Sequence, residues 1–218
     1  MADAEVKGSQ KVDMAGFLRR DETTGELRTV NDKRAVVMTG DLWKALTESL
    51  SERLAGEFDE ALYSAGQRWG TGAFTEFTEK VAAAQKTLYH TRNMSLSDFK
   101  EEFNRYLVRH GWGRFDIYEK HELIFVDLFS SAYPEMLGER AGMTCSLMAG
   151  FFSGFFSDLT AVDLSCIELR CTAMGADKCT FVVGDSALTG SVRKWLSKGR
   201  SFEEVVAAIG AKEYQGKK

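Results

Sequence analysis

Apolar residues follow a helical rhythm through the first half of the chain. Leu42, Trp43, Leu46 and Leu50 recur at helical spacing after Thr39-Gly-Asp41, and Gly56 predicts a break. Phe58, Ala61, Leu62, Ala65 and Trp69 then form one amphipathic stripe. Trp69-Gly-Thr-Gly-Ala-Phe74 holds two close glycines that predict an interruption, after which Phe74, Phe77, Val81 and Leu88 continue on a further helix. Ser95-Leu-Ser-Asp98 has the residue types of a capping box and opens a helix with Phe99, Phe103, Tyr106 and Leu107 on one face, ended by Gly111.

The period then shortens to two. Trp112–Tyr118 and Glu122–Phe129 read as paired strands around Glu119-Lys-His121, and both their faces carry apolar side chains. A helix from Cys145 to Asp158 follows. Ser146, Gly150, Ser153 and Ser157 form a strip of small residues on it, and Met148, Phe151, Phe152, Phe155 and Phe156 supply bulk elsewhere. A helix apolar almost all round is a buried one, either closed core or the wall of a cavity. Val162–Cys171 and Thr180–Val183 read as two strands joined by a turn over Ala173–Asp177. The tail is helical again at Val192–Leu196 and Phe202–Ile209, the second opened by Ser201-Phe-Glu-Glu204, and is expected to pack on its own domain.

At the other end, residues 1 to about 15 are polar and expected to be loosely ordered. Gly16–Arg20 and Glu26–Val30 flank a polar turn, which predicts a hairpin, and Arg34–Met38 is a short strand or an extended lead-in. These elements predict an α+β fold in which a mostly antiparallel sheet is packed with helices. The main domain is expected over residues 34–184, with an N-terminal extension at 1–33 and a helical extension at 185–218.

Composition narrows the function classes. With 28 basic and 32 acidic residues mixed along 218, the net charge is −4, which argues against a nucleic-acid partner. The N-terminus has no apolar run, so no secretory signal is read there. The longest uncharged stretch, Ala141–Ser157, is too short and too rich in Gly and Ser for a membrane span. Four cysteines in such a chain favour a reducing, cytoplasmic setting, with metal-bound or free thiols instead of disulfides. His90, His110 and His121 belong to no Ser/His/Asp or Cys/His arrangement and are read as surface or helix-end residues. No phosphate loop is present, and no catalytic residue is assigned.

The chemistry concentrates between Cys145 and Phe181. The predicted hairpin brings Glu168 and Cys171 near Cys179, and Cys145 at the start of the preceding helix offers a fourth corner. Three thiolates and a carboxylate suit a tetrahedral zinc, while buried core thiols account for the same residues. Cys166 is read as a core thiol. Arg170 or Lys178 is expected to offset the negative charge of such a site.

The run Glu168-Leu-Arg-Cys171-Thr-Ala-Met-Gly175-Ala-Asp-Lys-Cys179-Thr-Phe181 resembles the closing signature of the 4-vinyl-reductase-type domain family. His110-Gly-Trp-Gly-Arg-Phe115, Ser130-Ser-Ala-Tyr-Pro134 and the helix Cys145–Asp158 resemble earlier parts of the same domain, so the likeness runs from about Ala35 to Gly184. The family includes sensor domains of aromatic-responsive activators, hydrocarbon-binding proteins and bacteriochlorophyll-pathway proteins, and it shares its fold with subunits of the TRAPP tethering complex. The resemblance implies that Cys145, Glu168, Cys171 and Cys179 hold a structural zinc. It implies a cavity for a small hydrophobic or aromatic ligand, bounded by Trp112, Phe115, Phe125, Met148, Phe151, Phe152 and Phe155, and a homodimer. The expected function is a non-catalytic sensor or carrier that passes its signal to a separate partner. The alternatives are a tetrapyrrole-pathway vinyl reductase or accessory protein, and a TRAPP-like scaffold.

Overall fold

The computed structural model describes residues 17–29, 31–85, 94–138 and 142–215. The chain divides into two compact units, one up to Thr39 and one from Gly40 on. In the first, β1 (Leu18–Arg20), β2 (Leu27–Thr29) and β3 (Arg34–Ala35) form an antiparallel sheet. The expected hairpin is there, joined by a third short strand. Its turn is closed by Asp21, whose Oδ1 accepts from the backbone N–H groups of Thr23 and Thr24. That bonding holds the Asp21 carboxyl below its ordinary range.

The second unit opens with α1 (Gly40–Leu54), a 3-10 turn at Ala55–Glu57 where the break was expected, and α2 (Phe58–Gln85). Helix α2 runs without interruption through Trp69–Phe74, contrary to the expected break. Gly70 serves close packing there and does not end the helix. Next come α3 (Leu96–Val108), β4 (Arg114–Lys120), β5 (Leu123–Phe129) and the short α4 (Ala132–Leu137). They are followed by α5 (Ser146–Thr160), β6 (Ser165–Arg170) and β7 (Cys179–Gly184). The chain closes with α6 (Ser186–Ser197) and α7 (Phe202–Gly210). Ser95 caps α3 through the Asp98 N–H, and Ser201 with Glu204 makes a reciprocal box at α7. Leu88 and His90 lie outside the described residues.

The four strands β4 to β7 form one antiparallel sheet in the order β4-β5-β7-β6. Strand alternation separates its two faces. Phe115, Ile117, Val126, Leu128, Cys179, Phe181 and Val183 point into a core filled by phenylalanines of α2, α3 and α5. Phe125, Leu169 and Val182 point the other way, into a second core with Leu188, Val192, Val205 and Ile209 of α6 and α7. The C-terminal helices thus cover the sheet's second face, the reading given to the tail. Both sheet edges are closed by side chains. The Asn104 amide bonds both backbone groups of Phe115 on β4, and the Tyr63 hydroxyl accepts from Cys166 N–H on β6 at 3.0 Å.

Helices α2 and α5 touch backbone to backbone. A methyl added at Gly150 would lie 2.0 Å from Tyr63 O, and one at Gly66 2.1 Å from Leu147 O. Gly70 and Gly154 are notched in the same way against Phe151 O and Gln67 O. Two glycines four residues apart on each helix therefore set the crossing, as small residues do wherever backbones approach this closely. Gln67 bonds Ser153 across the seam at 3.1 Å, and Ser153 bonds Leu164 O.

Candidate metal centre and apolar cleft

Cys145 is the N-cap residue of α5, Glu168 and Cys171 come from β6 and its end, and Cys179 opens β7. Glu168 and Cys171 are three apart, and in a regular strand they would face opposite sides. A register shift between Glu168 and Arg170 resolves this, turning Arg170 outward and Cys171 back to the inner face. The loop then makes a 3-10 turn over Thr172–Met174 and reverses at Gly175 (φ +85°), a conformation that favours glycine. The outcome is a buried group in which Cys145, Glu168, Cys171 and Cys179 bring their ligand atoms within 4.8 Å of one another.

The three sulphurs form a nearly equilateral triangle with sides of 3.7, 3.8 and 3.9 Å. None is in a disulfide. Zinc–sulphur bonds of about 2.3 Å at tetrahedral angles require sulphurs about 3.8 Å apart, so the triangle has the size of one face of such a site. Glu168 accepts from Cys145 N–H through Oε2 at 3.1 Å, while its Oε1 is buried without a hydrogen-bond partner. A buried carboxylate oxygen left unpaired beside three thiols is the donor set of a cation site. The cluster can hold a metal ion.

Its electrostatics agree. The thiols of Cys145 and Cys179 both donate toward Cys171 and hold it well below an ordinary cysteine. Cys145 bonds both other sulphurs as donor, and this, with burial added, pushes its thiol far up. Cys179 is drawn down by its bond to Cys145, but its bond to Cys171, burial and the Glu168 charge outweigh this and put it at about 12. Burial, then the neighbouring Cys171 charge, raises Glu168. A single thiolate is therefore favoured and the other groups keep their protons, which cation binding would release.

Cys166 is buried on the inner face of β6 and stands apart from the cluster, in the apolar core, its thiol raised chiefly by burial. Arg170 and Lys178, expected to offset the cluster's charge, are occupied on the other side of the sheet. Arg170 bonds Thr180 and Asp177 and lies over the Phe202 ring, and Lys178 bonds the buried Asp127 at 2.6 Å.

Of the seven residues expected to bound a ligand cavity, Phe115, Met148, Phe151, Phe152 and Phe155 pack against one another, each at most 1% exposed. Trp112 lies on Trp69 with ring centres 5.0 Å apart, and Phe125 belongs to the second core. A cleft of about 630 Å³ opens at the other end of α5 and is lined by none of the seven. Its walls include Met94, Leu96 and Phe99 at the start of α3, Ile117 and Ile124 from the sheet, and Phe156 of α5. Tyr118, Glu119 and Glu122 supply its polar rim. The sequence reading missed this cleft. Phe99 and Phe156 sit in its apolar stripes, but no periodicity shows where a stripe runs past its partner. No helix among the described residues is long and apolar enough to cross a membrane.

Fold and cluster together define a helix-covered antiparallel sheet that ties a cysteine hairpin to a buried helix. Residues 127–185, from late β5 to just past β7, match the family model of the vinyl-4-reductase domain, so the chain carries a domain of that family. Among solved structures, the chain is similar to the phenol-responsive sensory domain of the transcription activator PoxR, crystallised with phenol. The TM-score is 0.61 at 16% identity, covering 84% of this chain and 92% of that one. It also aligns with a vinyl-4-reductase family protein from Methanocaldococcus jannaschii (TM-score 0.46, 15% identity, 69% and 83% covered). A third alignment is to a trafficking protein particle complex subunit 3 from Naegleria fowleri, covalently bound to palmitic acid (0.46, 12%, 66% and 93%). No curated protein sequence matches the chain.

Proposed function

We propose that the protein is a non-catalytic binding module, a sensor or carrier for a small hydrophobic or aromatic molecule, with zinc at the Cys145–Glu168–Cys171–Cys179 cluster. The observation that carries the ligand reading is the cleft: apolar walls of Phe99, Ile117, Ile124 and Phe156 with a few polar groups at the rim, the usual make-up of a small-molecule site. The PoxR domain, which shares the fold, was crystallised with phenol, and that supports an aromatic occupant.

Four protein ligands close a zinc site and leave no position for an activated water, so the metal's part is structural. It would tie the β6–β7 hairpin to the N-terminus of α5. The same helix reaches the cleft at Phe156, Leu159 and Thr160, roughly 16 Å further along its axis at 1.5 Å per residue. One helix thus joins metal and ligand sites. The pairing of two copies and the relay to a separate partner belong to the same proposal.

Native mass spectrometry of the purified protein, followed by denaturing extraction, tests it. One zinc per chain and a co-purifying apolar molecule, or a melting temperature raised by added phenol, is the expected result. No retained molecule and no response to phenol or other small aromatics would remove the ligand reading. Absence of zinc would remove the metal reading.

A further inference from the structure

Each sulphur of the cluster has a hydroxyl of its own. Thr144 Oγ1 lies 3.4 Å from Cys171 Sγ, Thr172 Oγ1 3.5 Å from Cys179 Sγ, and Ser131 Oγ 4.0 Å from Cys145 Sγ. Thr172 adds its backbone N–H to the same sulphur at 3.4 Å. Among the described residues these hydroxyls have no other partner, so each is free to donate to its sulphur. The two threonine contacts are at ordinary O–H···S length and the serine contact is at its outer limit.

Three thiolates and a carboxylate around a divalent cation leave two negative charges uncompensated in a buried place. The cations nearest in sequence do not supply the balance, since Arg170 and Lys178 are bound to Asp177, Thr180 and Asp127 across the sheet. Hydroxyl dipoles are what remain. Ser131 and Thr172 also line a crevice of about 370 Å³ with Pro134 and Asp177, and so stand between the sulphurs and solvent.

We infer that Thr144 and Thr172, with Ser131 at longer reach, are positioning residues of the metal centre: they donate to the coordinating sulphurs, carry part of the excess negative charge, and set how tightly the metal is held. The inference rests on the metal reading above. It also accounts for a sequence detail, because Thr144-Cys145 and Cys171-Thr172 place each threonine beside one cysteine and in contact with another.

The test is Thr144→Val and Thr172→Val, which keep the shape and remove the donor, with Thr144→Ser and Thr172→Ser as partners that restore it. Zinc affinity is measured by competition with a chromophoric chelator. Cobalt(II) loading reports the sulphur-to-metal charge-transfer band, and circular dichroism reports folding. The valine variants are expected to lose about 10- to 100-fold in zinc affinity, the range for groups that orient metal ligands, and to shift the cobalt band to lower energy. The serine variants should recover both. Ser131→Ala should lose less than either valine variant. Folded valine variants with wild-type affinity and an unmoved band would overturn the inference. So would an affinity loss shared by the serine variants without a band shift, which marks a packing role. Should Thr144→Val fail to fold, Thr172→Val decides. If the wild-type protein takes up neither zinc nor cobalt, the metal reading fails and this inference with it. If it takes up both and the valine variants match it, this inference alone fails.

Discussion

Gly70→Ala and Gly72→Ala are the same chemical change two positions apart on one helix, and the structure requires opposite outcomes. At Gly70 the new methyl would lie 2.2 Å from Phe151 O and 2.8 Å from Phe155 N of α5. Side-chain Cβ atoms essentially never come within 3.0 Å of another atom, so the helices must part by at least the difference, about 0.8 Å. The atoms that must give are backbone, which no rotamer change relieves. A gap of roughly 0.5–1 Å forfeits a quarter to a half of the attraction in every contact across it, and this seam is lined by Trp69, Phe74, Phe151 and Phe155. The expected loss is about 3 kcal/mol, the top of the overpacking range, after the gain in helix propensity from alanine is subtracted. For a domain of this size that is a fall of roughly 6–12 °C in melting temperature. At Gly72 a methyl meets nothing within 4 Å, so only the propensity gain remains, a rise of about 0.5–1 kcal/mol. Urea unfolding followed by far-ultraviolet circular dichroism measures both. If Gly70→Ala costs less than about 1 kcal/mol, or if the two variants shift in the same direction, α2 and α5 are not in backbone contact and the crossing described here is wrong.

Three further changes separate metal, edge and turn. Cys171→Ser should abolish zinc binding and lower stability by several kcal/mol, whereas Cys166→Ser should leave zinc content unchanged; elemental analysis of both proteins decides whether the ligand set is the right one. Tyr63→Phe strands the Cys166 N–H at the sheet edge and should cost about 1–3 kcal/mol by denaturant unfolding, and an unchanged midpoint would show that water takes the tyrosine's place. His121 and Glu122 form a two-residue hairpin turn with both φ values positive (55° and 62°), a geometry for which Asn-Gly is preferred. The double change His121→Asn, Glu122→Gly should relieve that strain but lose the Glu122–Lys212 ion pair, for a net gain of roughly 1 kcal/mol. A net loss would mean that contact between this turn and the end of α7 outweighs the strain.

Local signals were enough for much of the fold. The serine caps at Ser95 and Ser201, the paired strands on either side of the His121 turn, and the buried character of α5 could all be read from spacing, because each depends on residues within a few positions of one another. The glycines were harder. Trp69-Gly-Thr-Gly-Ala-Phe74 carries the same symbols whether a helix stops there or is crossed there, and only the partner helix distinguishes the two. Gly150 and Gly154 hold the complementary notch, but they lie about eighty positions downstream, beyond the reach of any local pattern. The two faces of the sheet pose a similar problem. Phe125 and Phe115 look alike in sequence, and strand register with the position of α6 and α7 decides which core each one enters.

The site shows where reasoning from residue type holds and where it gives out. The four cluster residues could be picked out because thiols and a carboxylate are few and their chemistry is restrictive. Strict strand alternation would have argued against the choice, since it sends Glu168 and Cys171 to opposite faces. The bulge between Glu168 and Arg170 removes that objection and has a second effect: it carries Arg170 to the outer face, where Thr180, Asp177 and Phe202 receive it. The irregularity that assembles the donor set is therefore the one that takes away the cation expected to neutralise it. A site built this way has to balance its charge with neutral dipoles, and the threonines beside Cys145 and Cys171 are placed to provide them.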